Sequence, residues 1–153
     1  MIIEIYTKEK FAFNEEQNLI NKLSYFIFCK NARESKLYYI EGNYSQEEKK
    51  IIASEILSDK IVENYSFRRR KFKNNFFRFE IWFKDGITDV VAESVSNAIE
   101  DYGFDRTKKV KTGKAIYIET DNFEKARKAV KECFVNELIQ KSQISELEKE
   151  YLK

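Results

Sequence analysis

The sequence predicts an α+β fold in which two repeated β-α-β-α units with antiparallel sheets form a pseudo-twofold pair. Two observations lead to this fold class. Strand-like alternation and helix-like periodicity of apolar residues follow one another along the chain, and the same succession recurs about 76 residues later. A third observation is size, because 153 residues of which 42 % are apolar can form an ordinary hydrophobic core.

The repeat is visible in two blocks of sequence. Residues 3–9 align with residues 79–85 at a separation of 76 positions, and residues 36–41 align with residues 114–119 at a separation of 78. A single unit would leave one sheet face uncovered, so two units gain by joining their sheets. We therefore predict unit 1 over residues 1–66, a basic inter-unit linker over 67–75, unit 2 over 76–145, and a charged tail or the start of a longer linker over 146–153.

Two capping patterns predict the helices of unit 1. Asn14 and Ser45 are good N-cap residues, and Gln17 and Glu48 follow them at the third position, as in a capping box. Apolar residues recur at helical spacing after each of these caps. The strands predicted around these helices cover residues 2–6, 37–40 and 61–65.

Unit 2 begins with the longest strand signal of the chain, residues 76–83. Phenylalanine and isoleucine alternate there with Arg78, Glu80 and Trp82, which predicts one buried face and one partly polar face. After a turn at Asp85-Gly86, we predict a helix that is capped by Thr88 or Asp89 and ended by Gly103. Residues 110–116 then predict either two short strands around Gly113 or one bulged strand. A helix from Asn122 to about residue 139 follows, with a peripheral helix or fraying tail beyond Ile144.

The composition excludes several classes of chemistry. The chain has no histidine and two cysteines, so it cannot hold a Ser-His or Cys-His nucleophile, a histidine-ligated metal or a four-thiolate zinc site. We expect Cys29 and Cys133 to be buried as small apolar residues. No catalytic, cofactor-binding or metal-ligating residue is predicted. No apolar run of about 18 residues is present, which favours a cytoplasmic protein.

An ordered set of motifs in unit 2 resembles the PurS family. It comprises the turn at residues 83–89, the helix closing in Tyr102-Gly103-Phe104, and the basic strand Val110-Lys111-Thr112-Gly113-Lys114. PurS is the small subunit of phosphoribosylformylglycinamidine synthase, the amidotransferase of the fourth step of purine biosynthesis.

Unit 1 is similar instead to the beginning of the large single-chain synthase, whose N-terminal region is a fused pair of PurS-like units. Residues 13–20 resemble its first helix, and residues 56–65 resemble a later segment in which the family commonly has proline where Lys60 stands. The resemblance implies a tandem PurS-like pair. It leaves open a free-standing subunit or the N-terminal domain of a longer synthase, and a monomer with an internal pseudo-dimer or a dimer.

The function that the resemblance implies is a scaffold without catalytic residues. Such a module bridges the synthetase and the glutaminase, its partners, and assists ammonia transfer between them; no membrane is involved. We expect its partner interface to be basic. The candidate interface residues are Arg68, Arg69, Arg70, Lys71, Lys111, Thr112, Gly113 and Lys114.

Three other interpretations remain. The basic run from Arg68 to Lys73 stands among phenylalanines, which suits a small nucleic-acid-binding module, although no RNP-like aromatic pattern is present. The lysines around Gly113 suit a phosphate cradle, although the full phosphate-loop pattern is missing. A pocket between the two units for a small regulatory ligand is a third interpretation.

Overall fold

The structure is a computed structural model that describes residues 1–72, 75–135 and 140–144. Its strands are β1 (Ile2–Thr7), β2 (Asn31–Gly42), β3 (Glu63–Ser66), β4 (Phe76–Phe83), β5 (Thr107–Glu119) and β6 (Gln140–Ile144). Its helices are α1 (Phe13–Leu23), α2 (Gln46–Ile51), α3 (Val90–Asp101) and α4 (Phe123–Phe134). A 3-10 turn (Glu9–Phe11) precedes α1, and a π-helical segment (Ile52–Leu57) continues α2.

The six strands form one sheet in the order β3-β1-β2-β5-β4-β6, and every neighbouring pair is antiparallel. This confirms the predicted α+β class and the antiparallel pairing. The long strands β2 and β5 meet at the centre, where Lys36 lies opposite Lys114. Strand pairing therefore joins the two halves of the chain through their central strands.

The helices pack on one face of this sheet, which we call the helix face. One apolar cluster joins α1 and α4 to strand residues that include Ala32, and another joins α3 and the π-helical segment to strand residues that include Tyr38 and Ile40. All three are even-numbered positions of β2, so both clusters lie on the same side. Each cluster also contains residues from both halves of the chain.

The opposite side of the sheet, which we call the second face, carries a smaller buried cluster. Leu37, Ala115 and Tyr117 belong to it, and they alternate along their strands with residues of the helix face. Phe76 and Trp82 complete its buried part on β4. The predicted polar residues lie on this side of β4, but this side is covered as well, so the strand is buried on both faces.

Most of the predicted helix caps are confirmed. Ser45 forms the capping box with Glu48, and Asp89 and Asn122 accept backbone hydrogen bonds at the starts of α3 and α4. The prediction for Asn14 is wrong, since α1 begins at Phe13 and its N-cap is Ala12. The backbone of Ala12 also closes the preceding 3-10 turn, so the chain enters the helix before Asn14.

The end of unit 2 also differs from its prediction. Helix α4 ends at Phe134 rather than near residue 139, and Gln140–Ile144 form a strand that the polar sequence did not indicate. Strand β5 is continuous through Gly113, and its one register shift against β2 places an extra residue, Lys108, opposite Glu41/Gly42, outside the predicted segment 110–116. The predicted tail beyond Ile144 lies outside the described residues.

Candidate partner interface

A buried charged network lies on the second face. Arg78 on β4 donates from Nη1 to Glu4 Oε1 at 2.8 Å and from Nη2 to Glu80 Oε1 at 2.7 Å. Tyr117 donates to the other oxygen of Glu4 at 2.6 Å and also contacts the Arg78 guanidinium. Arg78 is only 1 % exposed. The network therefore joins β1, β4 and β5 beneath the surface of the second face.

The charges of this network are fixed rather than poised for proton transfer. Burial disfavours the Arg78 cation, but the Tyr117 and Glu4 side chains beside it raise the pKa of Arg78 above its ordinary value. Burial first, and then the Glu4 carboxylate, raise the pKa of Tyr117 above that of an ordinary tyrosine. At neutral pH the arginine therefore stays charged and the phenol stays neutral, which suits a structural role.

The predicted basic linker crosses the second face, and we call its residues 67–72 the crossing segment. Arg70 is 9 % exposed, and its guanidinium carbon lies 4.0 Å from the ring centre of Tyr6. It also donates to Ser35 Oγ at 3.3 Å and forms an ion pair with Glu9 at 3.7 Å. Because these contacts hold Arg70 against the sheet, one of the predicted interface cations is not open to a partner.

The neighbours of Arg70 behave differently. Arg68, Arg69 and Lys71 are exposed, and the Arg68 backbone is held in a local turn by Ser66. At the end of the segment, Phe72 stacks on the ring of Phe76 at 4.3 Å. The exposed part of the predicted basic patch therefore consists of three cations fixed to the sheet by Arg70 and Phe72.

The predicted β5 residues are held by the turn between β4 and α3. Asp89 accepts from both the backbone N–H and the hydroxyl of Thr112 at 2.8 Å, while it caps α3 through Ala92. Lys111 pairs with Asp85 at 3.1 Å. Because the backbone N–H of Thr112 already donates to the Asp89 carboxylate, it does not serve as a hydrogen-bond donor to a phosphate.

Gly113 and Lys114 occupy opposite faces of β5. A Cβ at Gly113 would lie 2.7 Å from the Trp82 ring and 2.5 Å from the Ile81 carbonyl oxygen, so only glycine allows the indole to lie across the strand. Lys114 points to the helix face, where its ammonium lies 5.3 Å from the Phe134 ring centre. In the described part of the chain, no hydrogen bond, ion pair or ring contact joins these β5 residues to the basic segment.

Two clefts lie near these residues. The larger, about 440 Å³, is bounded by the turn from Phe83 to Asp89 and by β5. The smaller, about 310 Å³, lies on the second face against Tyr39, Glu80 and Trp82. Within residues 1–72, 75–135 and 140–144, no group of three or more acidic or cysteine side chains is placed to hold a metal ion.

Sequence reasoning missed the charged network and the smaller cleft. Arg78 and Glu80 were visible as the polar positions of β4, but their burial depends on Glu4, which lies far away in the sequence. The sequence around Tyr117 indicated only that this residue lies in a strand. An arginine and a glutamate two positions apart in a strand of aromatic and aliphatic residues are the feature that could have pointed to a buried ion pair.

Comparison with known families gives one match. Residues 77–148, just under half of the chain, match the family PurS, described as phosphoribosylformylglycinamidine (FGAM) synthase. The C-terminal half of this chain is PurS-like. The match spans β4 through β6 and confirms the resemblance seen in residues 83–114. No curated protein matches the chain significantly.

The PurS match does not test the predictions for the N-terminal half of the chain. It does not reach residues 13–20 and 56–65, so the PurS-like character of the N-terminal half and the tandem pair stay predictions. The cytoplasmic location also stays a prediction. Among the described helices, none combines the length and apolar character that crossing a bilayer requires.

Proposed function

We propose that this chain is a non-catalytic scaffold module of FGAM synthase. In this role it binds the synthetase and the glutaminase, and holds them so that ammonia passes between their active sites. The observation that carries the proposal is the PurS match over residues 77–148. The chain is then not an enzyme by itself but a component of an ATP-dependent amidotransferase.

We also propose that the chain contains two PurS-like units related by a pseudo-twofold axis. Strand registers support this pairing. Ile5 lies opposite Lys36 in unit 1, and the aligned residues Ile81 and Lys114 lie opposite each other in unit 2. The two aligned lysines in turn face each other between β2 and β5. A twofold axis that passes between these two lysines would exchange the two halves of the chain. This relationship supports a monomer with an internal pseudo-dimer.

The partner-facing surface that we propose is the exposed part of the crossing segment. Arg68, Arg69 and Lys71 present positive charge on a segment that Arg70 anchors to the sheet. Anchoring lowers the entropy lost when a partner binds, and the charges favour an acidic partner surface. Lys111 and Lys114 are placed away from this patch and have carboxylate or ring contacts of their own.

The test is reconstitution with the synthetase and glutaminase subunits. We expect the chain to co-purify with them, and its omission to lower glutamine-dependent turnover while ammonia-dependent turnover is kept. Replacing Arg68, Arg69 and Lys71 with glutamate should weaken association. A matched control replaces the exposed α4 residues Lys125, Lys128 and Lys131 with glutamate, which makes the same change of charge.

One result would count against the scaffold role, and another against the proposed partner-facing surface. Absence of association at micromolar concentrations would remove the scaffold role. Equal weakening by the crossing-segment variant and the α4 variant would leave the scaffold role intact, but it would show that net charge rather than the crossing segment governs binding.

A further inference from the structure

The second face contains two sets of aligned positions that the pairing of the units makes equivalent. The residues separated by 76 positions are Tyr6 and Trp82, Glu4 and Glu80, and Ile2 and Arg78, and those separated by 78 positions are Tyr39 and Tyr117. One member of each pair, namely Tyr6, Glu4, Arg78 and Tyr117, lies around the crossing segment, and these four residues are the first set. The other members, Trp82, Glu80, Ile2 and Tyr39, are the second set and all line the smaller cleft. This inference rests on the two-unit pairing proposed above.

The chain itself shows what the first set of positions binds. Arg70 stacks on Tyr6, and Phe72 packs edge-on against Tyr117 with ring centres 4.9 Å apart. The intervening Lys71 is exposed. An arginine and an aromatic residue two positions apart therefore cover the tyrosines, while the residue between them faces solvent.

The second set of positions places two aromatic side chains in the smaller cleft. Trp82 and Tyr39 supply the two ring-bearing positions, and Glu80, at the position aligned with Glu4, is held by its ion pair with Arg78. Ile2, 46 % exposed, replaces the buried Arg78 and so presents an apolar wall. Among the described residues, all of those that line this cleft belong to strands β1, β2, β4 and β5.

We propose that this cleft binds an extended segment of a partner protein with the pattern Arg-x-aromatic. The guanidinium would stack on Trp82 and the aromatic side chain would pack against Tyr39 and Ile2. The lysines at the cleft do not oppose a cation strongly, because Lys111 is paired with Asp85 and Lys109 lies opposite Glu41 across the β2–β5 pair. The volume of about 310 Å³ is large enough for one aromatic side chain and part of an arginine.

The probe is a synthetic peptide with the sequence of residues 66–75 of this chain, added to the intact protein. Trp82 is the single tryptophan and lies in the cleft, so its fluorescence reports binding there. We expect a saturable change with one peptide per chain. Peptides with alanine at the positions of Arg70 or Phe72 should bind about tenfold more weakly or worse, because those residues are the expected anchors.

Two protein variants locate the binding site. Tyr39→Ala should lower affinity about tenfold, and Ile2→Lys, at a half-exposed position that tolerates substitution, should do the same by repelling the arginine. Tyr6→Ala changes only the position that Arg70 already covers, and Tyr25→Ala changes a remote exposed aromatic residue. Both of these variants should bind the peptide like the parent protein.

Three results would overturn the proposal. One is the absence of saturable binding, and another is equal binding of a scrambled peptide with the same charge. The third is loss of binding in Tyr6→Ala but not in Tyr39→Ala or Ile2→Lys, since the peptide would then displace the crossing segment. The assay contains no synthase subunit, so its failure is distinguishable from failure of the scaffold role.

Discussion

Arg78 and Glu4 form an ion pair that spans the two central strands of the sheet. Arg78 lies on β4 and Glu4 on β1, with β2 and β5 between them, yet their side chains meet at 2.8 Å. The small side chains of Ser35 and Ala115, which are opposite each other on β2 and β5, leave room for this contact. The pair therefore connects the two halves of the chain independently of strand pairing.

Replacement of Arg78 by methionine is expected to destabilise the fold strongly. It would leave Glu4 and Glu80 buried without their cation, and breaking a buried pair in this way costs about 3–5 kcal/mol. Urea denaturation followed by Trp82 fluorescence measures the free energy of unfolding. The control is Arg127→Ala on α4, whose exposed pair with Glu124 should contribute less than about 0.5 kcal/mol. Equal losses in both variants would contradict the structural role of the network.

Tyr117 is expected to make stability fall at alkaline pH. Burial and Glu4 raise its pKa, so below about pH 10, the ordinary tyrosine value, the phenol is protonated in both states and its contribution is complete. Above that pH the unfolded chain loses the proton and the folded chain keeps it, so the free energy of unfolding decreases. Tyr117→Phe should make this decrease less steep in denaturation curves between about pH 9 and 11. The control Tyr102→Phe, at an exposed tyrosine, should keep the parent slope.

Asp89 is expected to contribute more to stability than Asn122, the capping residue of α4. Asn122→Ala removes one cap hydrogen bond at α4 and should cost about 1 kcal/mol. Asp89→Ala removes the α3 cap together with both hydrogen bonds to Thr112, so we expect a loss of about 2–3 kcal/mol. Thermal and urea denaturation of the two variants compare these losses. A smaller loss for Asp89→Ala would show that Thr112 finds other partners.

Most of the local features of this fold could be predicted from sequence, whereas its long-range side-chain contacts could not. The caps at Ser45, Asp89 and Asn122 depend on hydrogen bonds to residues three positions away, so their pattern is contained in a short window. The burial of Arg78 depends on Glu4, 74 positions earlier, and no periodicity reports such a partner. Strand β6 escaped prediction because its polar sequence becomes a strand through pairing with β4.

The candidate site divides in the same way. The basic patch was visible as a run of charge, but the run alone did not distinguish Arg70, which is buried, from Arg69, which is exposed. That difference arises because Tyr6 and Tyr117 offer ring faces at one point on the second face. Position in the sheet, rather than charge density, decides which cation is structural.

Gly113→Ala is expected to disturb Trp82 directly. The new Cβ would lie within 3 Å of the indole ring and of the Ile81 carbonyl oxygen, so the strand or the ring must move. Overpacking of this kind costs about 1–3 kcal/mol, and the Trp82 emission maximum should shift. Gly86→Ala is a suitable control, because its cost comes from a positive φ of 82° with open space around it, and Trp82 emission should stay unchanged. An unshifted emission in Gly113→Ala would contradict the close approach of the ring.

Arg70 and its neighbour Arg69 provide a test of whether the crossing segment is part of the fold or only a surface linker. Arg70→Ala removes the stacking on Tyr6, the hydrogen bond to Ser35 and the ion pair with Glu9, so we expect a loss of about 2 kcal/mol and faster proteolysis between residues 67 and 72. Arg69→Ala removes the same charge from an exposed side chain and should leave stability within about 0.5 kcal/mol. Limited trypsin digestion with mass spectrometry identifies the cleavage sites. Equal protection in both variants would mean that Phe72 alone holds the segment against the sheet.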